Sequence, residues 1–330
     1  MKQIKSLFLL FLMTFSLIGL AACGDDESSS EQEQTDDPRQ EEHAAEEDSQ
    51  TEKEADFPVT LTDDSGTEMT IEKKPERIVS VIPSSTEIAF ALGLGDQIVG
   101  VSDHDNYPEE VKNIEKIGGL ELNFEKIVSL EPDLVLANTA NGEAIQQMRD
   151  LGLNVLVLGA QNLEGTFENI LLTGKATGTS EKAEEVVNQM KAERDEVINL
   201  VSEIPEEERK TVWIEVGQDL FSVGSGTFLN ELVELAGGKN IMDDQEGWPQ
   251  VSEEEVLERN PEVILLTYGN YMEGDPVEAV KNRENWQSVT AVQEGQIYSL
   301  DGDMVTRPGP RITQGLQEIA RSLYPEKFNQ

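Results

Sequence analysis

Seven short apolar runs dominate the folding problem posed by this 330-residue chain. They are Arg77-Ile-Val-Ser-Val-Ile82, Gln97-Ile-Val-Gly-Val101, Asp133-Leu-Val-Leu-Ala137, Asn154-Val-Leu-Val-Leu158, Thr211-Val-Trp-Ile-Glu-Val216, Glu262-Val-Ile-Leu-Leu-Thr267 and Gln296-Ile-Tyr-Ser-Leu300. Each is nearly continuous rather than alternating, as suits parallel strands covered on both faces. Helical patterns lie between them, so the predicted class is α/β.

One segment differs from the rest. Ser180 to Glu203 carries Ala183, Val186, Val187, Met190, Val197, Ile198 and Val201 along one helical face. Ser180 is the expected N-cap, and Pro205 lies just beyond the end. Such a helix is a rod of roughly 35 Å. It divides the chain into an N-terminal lobe (57–178), a bridging helix (179–204) and a C-terminal lobe (205–330). The lobes echo one another. Glu125-Lys-Ile-Val-Ser-Leu-Glu-Pro-Asp-Leu-Val-Leu136 aligns without gaps on Glu254-Glu-Val-Leu-Glu-Arg-Asn-Pro-Glu-Val-Ile-Leu265. Two related lobes joined by a rigid helix place a ligand in the crevice between them.

The N-terminus reads as an export signal. Lys2 and Lys5 precede an uncharged run from Leu7 to Ala22, too short for a membrane-spanning helix. The junction Leu20-Ala21-Ala22-Cys23 looks like a bacterial lipobox, with residues 1–22 removed and Cys23 acylated. Cys23 is the single cysteine, so no internal disulfide is available. Residues 23–56 form an acidic tether, with fifteen acidic and two basic residues. That composition cannot bury enough apolar area to order itself. The expected location is the extracytoplasmic face of the cell membrane.

The net charge is −41; the signal contributes +2 and the tether −13, which leaves −30 from residue 57 onward. Nucleic acid and anionic membrane surfaces are excluded as partners, since both require basic patches. Catalytic sets are absent from the sequence. The folded part has one histidine, His104, and no thiol, and no phosphate-loop or dinucleotide fingerprint occurs. The sequence predicts neither an enzyme nor a resident cofactor or metal site.

Several motifs resemble one known family. Pro75-Glu-Arg-Ile-Val-Ser80, Pro83-Ser-Ser-Thr-Glu-Ile88, Asn106-Tyr-Pro-Glu109, Ala236-Gly-Gly-Lys-Asn-Ile241, Trp248-Pro-Gln-Val-Ser252 and Arg307-Pro-Gly-Pro-Arg-Ile312 are similar to the binding proteins of iron-siderophore, haem and vitamin B12 importers. The Asn-Tyr-Pro and Trp-Pro-Gln-Val-Ser segments resemble the vitamin B12 binders most. The resemblance implies a class III substrate-binding protein, two Rossmann-like lobes bridged by one long helix. It also implies a monomer working with an ABC permease and its ATPase. The leading ligand is cobalamin or another corrinoid, bearing its own cobalt. A ferric siderophore or haem, bearing iron, is the alternative, with Arg307 and Arg311 meeting acidic groups or His104 an axial ligand. A second alternative is a ligand sensor for a membrane receptor.

The resemblance further implies one acidic residue on each lobe that meets permease arginines. Glu87 and Glu234 are the expected pair, with Glu231 the competitor of Glu234. Ser84 and Glu87 also read as a capping box. The expected ligand-lining residues are Trp248, Arg307, His104, Tyr107 and Tyr268, with Arg311 structural. His104, Leu120 and Asn138 stand where vitamin B12 binders carry further aromatics.

Overall fold

The computed structural model describes residues 57–328. The export signal, Cys23 and the tether lie outside the described residues. A short antiparallel hairpin, β1 (Val59–Thr62) and β2 (Glu68–Ile71), opens the described chain. It escaped the sequence reading because only one residue in two faces inward. Its turn is pinned to the first lobe by two aspartates. Asp63 accepts from the Val157 N–H at 3.1 Å and from Arg149 at 2.7 Å, and Asp64 accepts from Gly159 and Asn169.

The first lobe is built on β3 (Ile78–Ser80), β4 (Ile98–Val101), β5 (Leu134–Asn138) and β6 (Val155–Leu158). All four are parallel, in the order β4-β3-β5-β6. Helices α1 (Pro83–Ala91), α2 (Phe124–Ser129), α3 (Glu143–Asp150) and α4 (Leu163–Thr177) connect and cover them. The bridging helix is α5 (Ser180–Val201). Its N-cap is Thr179, without a side-chain hydrogen bond, so Ser180 is the first helical residue rather than the expected cap.

The second lobe contains β7 (Thr211–Glu215), β8 (Lys239–Asn240), β9 (Val263–Leu266) and β10 (Ile297–Ser299), parallel in the order β10-β9-β7-β8. Helices α6 (Phe228–Leu235), α7 (Glu253–Arg259), α8 (Pro276–Lys281), α9 (Thr290–Glu294), α10 (Gly302–Thr306) and α11 (Ile312–Leu323) accompany them. The topology equals that of the first lobe: the second strand adds to one side of the first, and the third and fourth add to the other. In each lobe the connections diverge between the first and third strands, so the crevices open between β3 and β5 and between β7 and β9.

The internal repeat seen in sequence is α2–β5 against α7–β9. Each helix ends on a residue with positive φ, Glu131 at 47° and Asn260 at 41°, directly before a proline. The acidic residue that follows does the same work in both lobes. Asp133 accepts from the backbone N–H groups of Glu76 and Arg77 ahead of β3, and Glu262 accepts from the Thr211 N–H at the start of β7. A lysine pairs with each, Lys73 at 3.5 Å and Lys210 at 3.1 Å. The repeated acid is therefore a clip that sets the register of third strand against first.

Each sheet has a private core on one face. Val79, Ile127, Met148 and Val157 belong to the first, and Trp213, Ile264, Trp286 and Val289 to the second. On the other face the lobes share a core. Ile78, Phe167 and Ile170 of the first lobe and Val212, Leu316 and Ile319 of the second belong to one cluster with Ala183, Val187, Met190, Val197 and Val201 of α5. The bridging helix packs on α4 and on α11. It is thus part of both interiors, and bending it would open apolar surface to water.

Candidate functional site

Three of the sequence motifs, far apart in the chain, meet at one point between the lobes. Glu87 stands on the inner turn of α1, and Arg307 and Arg311 bracket the Pro308-Gly309-Pro310 turn between α10 and α11. Arg311 donates Nε to Oε2 of Glu87 at 2.8 Å and Nη2 to Oε1 at 2.7 Å. Arg307 adds Nη1 to Oε1 at 3.0 Å. The same nitrogen of Arg307 donates to Asn106 Oδ1 at 2.8 Å, and Nη2 pairs with Asp303 at 2.9 Å. Asn106 in turn donates to Asp303 at 2.7 Å, and the Tyr271 hydroxyl donates to Asp303. The Arg311 guanidinium lies 4.0 Å from the Tyr107 ring centroid, close enough for cation–π attraction.

These partners are withdrawn from water. Side-chain exposure is 2% for Glu87, 12% for Arg307 and 13% for Arg311. Desolvation pulls the Arg311 pKa down, but the hydrogen bonds and charge of Glu87 outweigh it, and the net shift is upward.

This arrangement bears on three expectations. Glu87 was expected on the surface as a docking anion; it is buried, and both its oxygens hold arginines from the other lobe. Nor does it complete a capping box. Helix α1 starts at Pro83 with Ile82 as N-cap and no side-chain cap, so Ser84 already lies within the helix. Arg307, expected to line the ligand, makes its side-chain hydrogen bonds and ion pairs with Glu87, Asp303 and Asn106.

Tyr268 is also displaced from its expected role. It is 7% exposed, and its hydroxyl donates to Glu215 at 2.6 Å. Glu215 is fully buried and also accepts from Arg283 at 2.6 and 2.7 Å and from the Trp213 indole at 3.1 Å. Burial and the hydrogen bond to Glu215 push the phenol well above its ordinary range. Tyr268 is thereby a structural anchor of the β7–β9 crevice. Its neighbour Tyr271 is 69% exposed and takes the position expected of Tyr268. Gly302 makes that possible: a Cβ there would lie 2.0 Å from the Thr267 carbonyl oxygen, so only glycine lets α10 start against the end of β9.

The remaining expected residues lie at the carboxyl ends of the strands. Trp248 is 59% exposed and Tyr107 46%. His104 is exposed in the loop after β4, beside Gly119. Leu120, at 97% exposure, tips the turn closed by the Gly118–Leu122 bridge, and Asn138 ends β5. Phe221, 40% exposed, was not anticipated. It pairs with Gly217 just after β7 and with Gln250 two residues beyond Trp248. An apolar residue placed outside any strand period, next to a Gly-Gln-Asp turn, was the available signal. The second lobe therefore offers Phe221, Trp248 and Tyr271 as exposed aromatic surface, and the first lobe offers Leu120 and Tyr107.

Of the two glutamates weighed on α6, Glu231 accepts from the Leu163 N–H at 2.9 Å and so caps α4 in the first lobe. Burial raises its pKa. Glu234 is exposed and accepts from Asn230 on its own helix. A cavity of about 400 Å³ lies behind the ion cluster, lined by Phe90, Met190, Glu193 and Gln314 beside Glu87 and Arg311.

Two lobes that share a core through one helix, open at the carboxyl ends of both sheets, are built to take a ligand between them, and the family that this chain matches is one of substrate-binding transport proteins, not enzymes. The chain belongs to the periplasmic binding protein family, whose sequence profile matches residues 78–304. It is 41% identical over 281 residues to the uncharacterised ABC transporter substrate-binding lipoprotein YvrC of Bacillus subtilis, covering 83% of this chain and 88% of that one. It is 29% identical to a cobalamin-binding protein of Halobacterium salinarum, covering 84% and 77%. Among solved structures, a possible iron-binding (periplasmic solute-binding) protein of Staphylococcus epidermidis is 35% identical with a TM-score of 0.68, covering 76% of this chain and all of the other. The chain is accordingly a substrate-binding protein of an ABC transporter.

Proposed function

We propose that this protein is anchored outside the cell membrane by acylated Cys23, captures cobalamin or a related corrinoid between its lobes, and delivers it to the permease. The observation that carries the ligand is the exposed aromatic surface of Phe221, Trp248 and Tyr271 at the mouth of the second crevice. A corrinoid is a broad, partly flat ring, and aromatic faces are suited to seat it. The cobalamin-binding relative supports the same reading. The relative described as a possible iron-binding protein supports a ferric siderophore as the second reading.

Docking uses the internal repeat. With Glu87 buried, the exposed acids at equivalent places on the two lobes are Glu125 and Glu254, each in the first turn of its helix. Both helices begin at the carboxyl side of their sheets. The segment ahead of α2 bridges to Val101 at the end of β4, and the segment ahead of α7 bridges to Phe221 beyond the end of β7. A pair of anions related by the lobes' own symmetry matches a permease that presents arginines to each lobe, and fixes register. Glu234 lies exposed on α6, whose equivalent in the first lobe is α1, where the acid is Glu87.

Trp213 and Trp286 are fully buried, so Trp248 is the indole that a ligand can touch, and a Trp248→Phe control separates its quenching from energy transfer out of the other two. Titrating the full chain with cobalamin tests the ligand; an unchanged signal and no heat of binding at micromolar concentration reject the corrinoid.

A further inference from the structure

The mouth of the cleft is lined by carboxylates that have no cationic partner, while every cation near it is committed. Asp103 and Glu121 stand exposed beside His104 and Leu120. Asp219 and Glu246 flank Phe221 and Trp248, and Glu273 follows Tyr271. None of the five takes part in a salt bridge among the described residues. The lysines and arginines in the same loops are all engaged. Lys116 donates to the carbonyls of Ser102 and Asp105 at 3.1 Å each. Arg283 holds Glu215, Arg259 holds Asp244 and Glu255, and Arg307 and Arg311 hold Glu87.

We infer that the cleft selects by charge: it takes an uncharged or cationic ring-bearing ligand and rejects anionic ones, ferric catecholates and haem included. This rests on the substrate-binding reading and narrows its ligand class. The physical reason has two parts. An approaching anion meets a negative field, which lowers its local concentration and its on-rate. An anion that reaches the cluster finds Arg307 and Arg311 already neutralised. To pair with either it must displace Glu87, and it then leaves a carboxylate of 2% exposure without its counter-charge. A buried charge stripped of its partner is among the costliest changes a site can suffer. An uncharged ligand pays neither penalty and can use the aromatic faces of Phe221, Trp248 and Tyr271 in full.

The test compares four probes on the full chain at low ionic strength, by Trp248 quenching and calorimetry. They are cyanocobalamin, which is uncharged; a ferric trihydroxamate with a free ammonium, which is cationic; a ferric tris-catecholate; and haem. The first or second is expected to bind at least about tenfold tighter than either anion. Binding of the hydroxamate but not of cobalamin supports the charge rule and rejects the corrinoid. Binding of an anionic probe as tightly as the other two overturns the charge rule and leaves the transport reading standing. Binding of none overturns both the charge rule and the corrinoid. A second measurement uses Glu87→Gln, which removes the charge that Arg307 and Arg311 share while keeping a side chain of the same shape. With circular dichroism unchanged, its affinity for haem or the catecholate is expected to rise at least about tenfold; no gain overturns the role given to the committed arginines.

Discussion

Glu87 of the first lobe and Arg311 of the second face one another across the domain boundary in a two-point ion pair, at 2.8 and 2.7 Å. The pair has almost no access to water, and Arg307 closes on the same carboxylate from the other side. It joins the lobes beside their shared core, to which its chain neighbours Ile88 and Ile312 belong, so packing and charge hold the two halves together.

Removing that carboxylate leaves two guanidinium groups under-neutralised. Glu87→Ala is expected to destabilise the protein by about 3–5 kcal/mol, the usual cost of orphaning a buried ionic partner. Arg311→Ala is expected to cost less, because Arg307 remains. Urea denaturation with a double-mutant cycle measures both, and the two changes should be strongly non-additive.

Docking and capture should separate cleanly. Glu125→Ala with Glu254→Ala is expected to abolish ligand-stimulated ATPase activity of the reconstituted transporter while ligand affinity stays the same. Glu234→Ala should leave that activity near normal. Loss of stimulation in the Glu234 variant alone would reassign the second docking residue.

Trp248→Ala is expected to weaken binding of a corrinoid by roughly fivefold, as suits about 1 kcal/mol of ring contact. Tyr268→Phe should instead leave affinity unchanged and lower stability, since its hydroxyl serves the buried Glu215. Calorimetry and thermal melts on the two variants distinguish ligand wall from anchor.

Asp105 adds one contribution of definite sign to the pH dependence of stability. Burial raises its pKa against the hydrogen bond from Ser102 and the charges of Lys116 and Arg307, and its Oδ1 has no hydrogen-bond partner. A carboxyl whose folded pKa is raised binds more protons folded than unfolded. Its contribution to stability is therefore largest below the unfolded value of 3.8 and is lost as pH rises through the folded pKa. Asp105→Asn removes this term: relative to the parent it should be more stable near neutral pH than at pH below the unfolded value. Denaturant midpoints across that range measure the difference.

The class of fold, the bridging helix and the repeat were all legible in the sequence, because each depends on local chemistry. Continuous apolar runs announce parallel strands, a one-faced helical period announces α5, and Pro after a helix end announces the turn into β5 and β9. The hairpin β1–β2 was not legible, since half its residues face water and its anchors, Asp63 and Asp64, bind partners at Arg149 and Asn169.

The site divides along the same line. Trp248 stands next to Pro249 ahead of a helix, a place in a loop rather than the core, and it is exposed. Glu87, Arg307 and Tyr268 were each given a role facing outward, and each faces another part of the chain. The sequence by itself determined which residues could be charged or aromatic near the crevice, and that the lobes repeat. Only the tertiary structure decided which charges meet, because Glu87 and Arg311 lie more than two hundred residues apart and the pairing of buried charges is a property of the packed interface between lobes. Local propensity carries no record of that pairing.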